Sequence, residues 1–272
     1  MMAALGRGLH REWHARPWVL DDPYAFSLVG PAWPQLLALY EALVPRPFFE
    51  LAIGGICVRS RYAEDRLEAG GFSQYVLLGA GMDSLAWRRP DLLRQVTIFE
   101  VDHPGTQGWK RERATVLNLP ESERHVFVPV DFETEDLRHA LDGAGFDWGE
   151  RTLFNWLGVV MYLSRDAIAT TLRTLAGAAR GSGIVMTYLQ APEYLDEASL
   201  GLFKTLEPLV AQVGEPFQEG FAPAEFEALV RGCGHVVEEN VPPEDLEARY
   251  FAGRKDELRP YTLERILSTS LP

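Results

Sequence analysis

Cysteine is scarce in this chain: Cys57 and Cys233 are the only two in 272 residues. They lie far apart in sequence without metal-ligand neighbours, which excludes a disulfide framework and a thiolate metal site and predicts two reduced, buried thiols in a cytoplasmic protein. Basic charge is short as well. Lys and Arg number 26 against 39 Asp and Glu, giving a formal net charge of -13 and a pI near 5.0. Nucleic acid is excluded as a partner, because a phosphate-binding surface needs an excess of lysine and arginine. No stretch of 18 apolar residues occurs, and the N-terminus has no apolar core followed by a cleavage site, so neither a spanning helix nor a signal peptide is expected. Internal repeats and low-complexity segments are also missing. The length suits one large domain, read as a lid over 1–72, a core over 73–190 and a last part over 191–272.

What is present is organised around Tyr75 to Ser84. Tyr75 to Leu78 is an apolar run too short for a helix and bounded by Gly79, the pattern of a strand buried on both faces of a parallel sheet. At Gly79-Ala80-Gly81 the small side chains allow a tight turn and a close approach of a ligand to the main chain. A bare strand-to-helix turn would look the same. A dinucleotide fingerprint wants a third glycine where Ser84 stands, and Asp83 puts a carboxylate where a pyrophosphate would lie. That carboxylate suits a ligand carrying an ammonium group, which points to S-adenosylmethionine.

The next strands repeat the arrangement. Val96 to Phe99 leads into Glu100-Val101-Asp102-His103-Pro104, whose carboxylates Glu100 and Asp102 are placed to hold both hydroxyls of a ribose. Val126 to Val130 ends at Asp131-Phe132, an acidic residue for an adenine amino group and a ring to cover the base. Thr152 to Trp156 runs into Leu157-Gly158. Polar groups at the C-terminal ends of successive strands mark the ligand edge of an open α/β sheet. Ser164 is the expected cap of a helix over Arg165 to Ala179, Gly183 to Leu189 reads as a fifth strand, and Val236 to Val241 as a sixth. Pro192 to Val213 reads as an inserted helix, and Arg265 to Leu271 as a candidate seventh strand.

Gly79 to Ser84, Phe99 to Pro104, Asp131-Phe132, and Trp156 to Val159 followed by Met161-Tyr162-Leu163 resemble the leucine carboxyl methyltransferase-like family. The resemblance runs from about Arg59 to Gly253. It implies a Rossmann-like class I methyltransferase fold, a seven-stranded, mostly parallel sheet with the last strand antiparallel between the fifth and sixth. It also implies S-adenosyl-L-methionine as cofactor, and a bacterial branch that includes carboxyl O-methyltransferases of aromatic polyketide pathways in antibiotic biosynthesis. Arg59-Ser60-Arg61-Tyr62-Ala63-Glu64-Asp65 is similar to the family segment whose first arginine meets the cofactor carboxylate, which implies that role for Arg59. The chain departs from the family at Leu157-Gly158, where many members have Glu-Gly.

The cofactor set read in this way is Arg59, Gly79, Ala80, Gly81, Asp83, Glu100, Asp102, Asp131, Phe132, Trp156 and Leu157. Ahead of the sheet, Pro17, Pro23, Pro31, Pro34, Pro45 and Pro47 break the chain, with short helices expected within Leu36 to Leu43 and Ile53 to Leu67. This aromatic lid offers Trp13, Trp18 and Arg16 to a substrate, or else its rings are only its own core. Arg61, Tyr162, Tyr188 and Tyr194 complete the substrate set. Methyl transfer needs the acceptor held in line and water kept out. A carboxylate acceptor needs no base, whereas a phenol would take one, for which His103 and the lid histidines His10 and His14 are candidates, with Tyr162 a further catalytic candidate. No metal is expected. The reading is an O-methyltransferase of a small acidic aromatic molecule, with a protein C-terminal carboxyl methyltransferase and a nicotinamide-dependent oxidoreductase as alternatives.

Overall fold

The computed structural model describes the chain apart from residues 132, 133, 213, 215 and 219. Four helices come first: α1 (Met2–Trp13), α2 (Ala25–Val29), α3 (Trp33–Leu43) and α4 (Arg46–Gly70). Then follow β1 (Gln74–Leu78), the single turns α5 (Leu85–Arg88) and α6 (Pro90–Leu93), β2 (Thr97–Asp102), α7 (Pro104–Val116), β3 (His125–Pro129), α8 (Leu137–Gly143) and β4 (Thr152–Trp156). The rest is α9 (Arg165–Leu175), β5 (Gly183–Leu189), α10 (Glu197–Gln212), α11 (Pro223–Gly232), β6 (Val236–Val241), α12 (Pro243–Tyr250) and β7 (Glu264–Ser270). The seven strands form one sheet in the order β3-β2-β1-β4-β5-β7-β6. β1 pairs in parallel with β2 and β4, and β7 runs antiparallel between β5 and β6, as the resemblance implied.

The pleat sorts each strand between two apolar layers. Tyr75, Leu77, Ile98, Leu153 and Val185 face the layer that contains Leu5, Leu9, Ile53 and Val58 of α1 and α4. Val76, Leu78, Phe154, Trp156, Met186 and Tyr188 face the opposite layer, with Ile168, Leu172 and Phe226 of α9 and α11. Runs that read as continuously apolar therefore alternate in direction residue by residue. Both cysteines are buried and unpaired, and burial pushes the Cys57 thiol up to about 12. No helix among the described residues is long and apolar enough to cross a membrane.

The lid differs from the short helices expected. α4 runs for 25 residues, because Pro45 and Pro47 stand at its start, where a missing N–H costs nothing, and Gly71 closes it in the left-handed conformation (φ 61°). Gly54 and Gly55 in its interior admit the segment 259–261. A Cβ on Gly55 would sit 1.6 Å from the Tyr261 ring, and one on Gly54 1.8 Å from the Arg259 carbonyl oxygen. The inserted segment is divided too, into a 3-10 turn at Pro192–Tyr194 and then α10, where Asp196 accepts the Ser199 N–H at 2.6 Å and restarts the helix. The expected C-terminal residue of that insertion, Val213, lies outside the described residues. α9 is capped by Ser164 as expected and ends at Leu175, four residues before Ala179.

His10 is fully buried on α1, and its Nε2 accepts the Val19 N–H at 3.0 Å. Burial, and then the neighbouring His14, push its pKa from the usual 6.5 down to about 3. An unfolded chain protonates this ring near 6.5 and the folded one does not, so the folded state is fully favoured above 6.5 and loses ground as pH falls toward 3. The slope approaches about 1.4 kcal/mol per pH unit. His10→Gln keeps an acceptor for Val19 and cannot titrate. Urea unfolding between pH 7 and 5 should therefore show a shallower loss of stability in this variant, and parallel losses in variant and parent would contradict the assignment.

Candidate functional site

The site begins where β1 ends. The N–H groups of Gly79 and Ala80 both donate to the Val101 carbonyl, at 2.9 and 3.1 Å, so the turn is fastened to β2. Gly79 and Gly81 have φ of 75° and 51°, which favour glycine. A Cβ on Gly79 would press on Val159 at 2.5 Å, whereas one on Gly81 would meet nothing within 4 Å. The turn is thus closed against the chain after β4 and open over Gly81. Asp102, at the last position of β2, accepts the Gly81 N–H with one carboxylate oxygen and the His103 N–H, at 2.7 Å, with the other. Burial, supported by the charge of Glu100, raises its pKa against the pull of the two N–H groups and Lys110.

Beneath the turn lies a set of buried charges. Arg7 of α1 donates to Asp22 at 2.8 Å and to the Met82 carbonyl at 2.7 Å, tying the lid to the turn. Asp83 accepts the Leu85 N–H at 2.7 Å; burial would raise its carboxyl, but Arg7, Arg88 and Lys110 together hold it below the usual range. Arg88 pairs with Glu64, both buried. Glu100 corrects the sequence reading. It shares a face with Asp102 but lies two residues below the edge, where one oxygen is taken by Lys110 and the other by His125 at 2.9 Å. Burial raises and these two partners lower its carboxyl, which ends below the usual range. Only Asp102 of the expected pair is left for a ribose. In the sequence Arg7, Lys110 and His125 each read as an ordinary polar residue.

Across the turn, Gly158 follows β4 with φ 69°, and its N–H is held by the Thr187 hydroxyl at 2.9 Å. The Arg59 guanidinium lies over it: a Cβ at Gly158 would come within 2.5 Å of Nη2. Arg59 Nη1 donates to both oxygens of Glu264, at 2.7 Å each. Leu157 is half-buried beside this point and packs against the lid-side layer, with Tyr162. Tyr162 stacks on Phe217 at 5.7 Å, and Phe217 on Phe203 of α10 at 5.8 Å, which builds an aromatic wall next to Arg59.

Several other expected residues are engaged away from the turn, whereas His103 and Asp131 remain at the carboxyl edge of the sheet. The side chains of Trp156 and Tyr188 point to the layer of α9 and α11, since the pleat places them with Phe154 and Met186; Tyr188 stacks on Phe226 at 4.1 Å and bonds Asn240. Neither lines the site. Trp13 packs on Phe49 with the Arg46 guanidinium over its ring, and Trp18 carries Arg11 and Arg16 on its face. Arg16 and Tyr194 are exposed, and Arg61 pairs with Asp65 at 2.6 Å. His14 is buried, bonded to Glu50 at 2.6 Å. His103 is exposed and caps α7, its Nδ1 accepting the Gly105 N–H at 3.1 Å. Asp131 sits half-buried just past β3, with its N–H on Glu135; Phe132 lies outside the described residues. Among the described residues no cluster suits a metal ion.

Replacing Asp102 by Ala should weaken S-adenosylhomocysteine binding by about 1.5 to 3 kcal/mol, through loss of a charge-assisted hydrogen bond to a hydroxyl. Titration calorimetry on a variant whose circular dichroism matches the parent checks it. Unchanged affinity would remove Asp102 from the site.

Comparison with known proteins bears on the family and the fold. The family model described as leucine carboxyl methyltransferase matches residues 1–176, which takes in the whole lid and stops well short of Gly253. YktD of Bacillus subtilis, named as a candidate S-adenosyl-L-methionine-dependent methyltransferase, is 33% identical over 189 residues, 69% of this chain and 62% of that protein. The matched stretch spans 60 to 66% of the length of the first three curated relatives. Two solved structures superpose with a TM-score of 0.61. One is a candidate methyltransferase from Thermobifida fusca YX, 18% identical, covering 90% of this chain and 92% of that one. The other is a duf574 family protein from Streptomyces avermitilis, 14% identical, covering 100% and 97%. At these identities the likeness is one of fold, that of class I methyltransferases. The chain belongs to the leucine carboxyl methyltransferase family.

Proposed function

We propose that the chain is an S-adenosyl-L-methionine-dependent O-methyltransferase acting on a small acidic aromatic molecule, at a carboxyl group. The observation that carries the cofactor reading is the placement of Asp102 against the open glycine turn, at the carboxyl edge of β1 and β2. A Cβ at Gly81 would enter free space, so the turn leaves room for a ligand on the main chain. A nicotinamide dinucleotide would have to bring a pyrophosphate to a turn braced by the Asp83 carboxylate.

Bound S-adenosyl-L-methionine supplies a methyl group already activated by its sulfonium sulfur. The residues of the chain then have to bind, orient and keep water out. Asp102 fits a ribose hydroxyl, the edge of Arg59 not used by Glu264 fits a carboxylate, and the lid lies pinned to the turn through Arg7. The aromatic wall of Tyr162, Phe217 and Phe203 supports a flat acceptor. A carboxyl acceptor is supported by family membership and by the state of the two expected bases. His103 uses Nδ1 as a helix cap, and His14 is bonded to Glu50 inside the lid. The reading includes a small-molecule partner, without nucleic acid or membrane, in the cytoplasm.

A carboxylate acceptor with pKa near ~4 is ionised throughout pH 6 to 9, so single-turnover methyl transfer at saturating cofactor should be flat there. His103→Ala and His14→Ala should leave the rate within about threefold, since general-base catalysis contributes about a hundredfold or more. The measurement is methyl transfer to a panel of aromatic acids against pH. A rise approaching tenfold per pH unit, or a loss above about a hundredfold in either variant, would move the acceptor to a phenolic oxygen.

A further inference from the structure

Arg59 approaches the glycine turn through a chain of close contacts. Its guanidinium lies on Gly158, and the next residue, Val159, closes on Gly79. One edge of the guanidinium is committed, since Nη1 donates to both Glu264 oxygens. Among the described residues the other donors, Nε and Nη2, have no protein acceptor, and neither is sealed from solvent. The free edge therefore stays open to solvent beside Gly158, one residue from the Val159 that closes on Gly79.

The Glu264 carboxylate is itself held. The Tyr261 hydroxyl donates to its Oε1, and the Tyr261 ring fits into the notch that Gly55 leaves in α4. Burial, with the charge of Glu264, keeps this phenol well above its ordinary pKa, so it stays a donor at every working pH. Glu264 opens β7 beside the last residue of β5, at the same carboxyl edge as the turn. An arginine side chain free to rotate would lose more rotamer freedom on binding an anion than one already clamped. The pair is also close to neutral overall, so recognition by Arg59 rests on aimed donors more than on charge.

We propose that Glu264, backed by Tyr261, is a positioning residue that aims the free edge of Arg59 at the carboxylate of the cofactor's amino-acid end. This rests on the cofactor reading given above. Both residues lie beyond the stretch 1–176 that carries the family match.

The test is titration calorimetry of the full chain, Glu264→Gln and Tyr261→Phe with two ligands. S-adenosylhomocysteine has the carboxylate; methylthioadenosine shares the adenosine and thioether and lacks it. Glu264→Gln should weaken S-adenosylhomocysteine about tenfold, the scale of one hydrogen bond to a charged group, and leave methylthioadenosine within about twofold. Tyr261→Phe, which removes a single hydroxyl, should act in the same direction by about threefold. Equal weakening of both ligands would mean a general loss of packing and overturn the proposal. So would unchanged or tighter S-adenosylhomocysteine binding in Glu264→Gln, the latter because removing the competing anion would then outweigh aiming. A parent that binds both ligands equally overturns the role of Arg59 alone, whereas one that binds neither overturns the cofactor reading.

Discussion

Arg7 holds the carbonyl of Met82 from 75 residues away, with its other side on the buried Asp22. This contact fixes the lid against the glycine turn, and the turn is the point on which both the sheet edge and the crevice depend. A guanidinium buried to this degree is tolerable because Nε meets the Asp22 carboxylate and Nη2 the Met82 carbonyl; loss of Asp22 would leave an uncompensated buried charge. The same compensation recurs in Glu64 with Arg88 and in Glu100 with Lys110 and His125. Together these buried pairs surround the turn and restrict how it can move. The crevice is therefore shaped before any ligand arrives, which is what a reaction governed by positioning requires.

Much of the strand framework is legible in the residues: β1 is an apolar run ended by Gly79, and β2 one ended by carboxylates. Gly183–Leu189 and Val236–Val241 were read with the bounds they have, and Asp102 stands at the edge where it was expected. The side of the sheet each residue faces was not legible. An apolar run buried on both faces hides its own alternation, so Trp156 and Tyr188 read as site residues although the pleat sends them to the far layer. The role of Glu100 is hidden for another reason. Its partners Lys110 and His125 come from a helix and a strand that only the fold brings together.

The lid was the least legible part. Proline opens a helix as readily as it ends one, and the residues alone do not distinguish the two at Pro45 and Pro47. α1 has no side-chain cap to announce it, although Leu5 and Leu9 keep helical spacing. Glu264 has no local signature in the sequence, where the last strand reads as beginning one residue later, at Arg265. Residues that act by holding other residues, such as Arg7, Tyr261 and Glu264, leave no local pattern. They are visible only once the chain is folded.

We propose the open turn over Gly81, with Asp102 against it and Arg59 on the neighbouring Gly158, as a cradle for S-adenosyl-L-methionine. Titration calorimetry of the full chain with S-adenosylhomocysteine and, separately, with NAD tests it most directly. A saturable isotherm with one site per chain is expected for S-adenosylhomocysteine, and no heat of binding with NAD. Saturable binding of NAD with none of S-adenosylhomocysteine would contradict it.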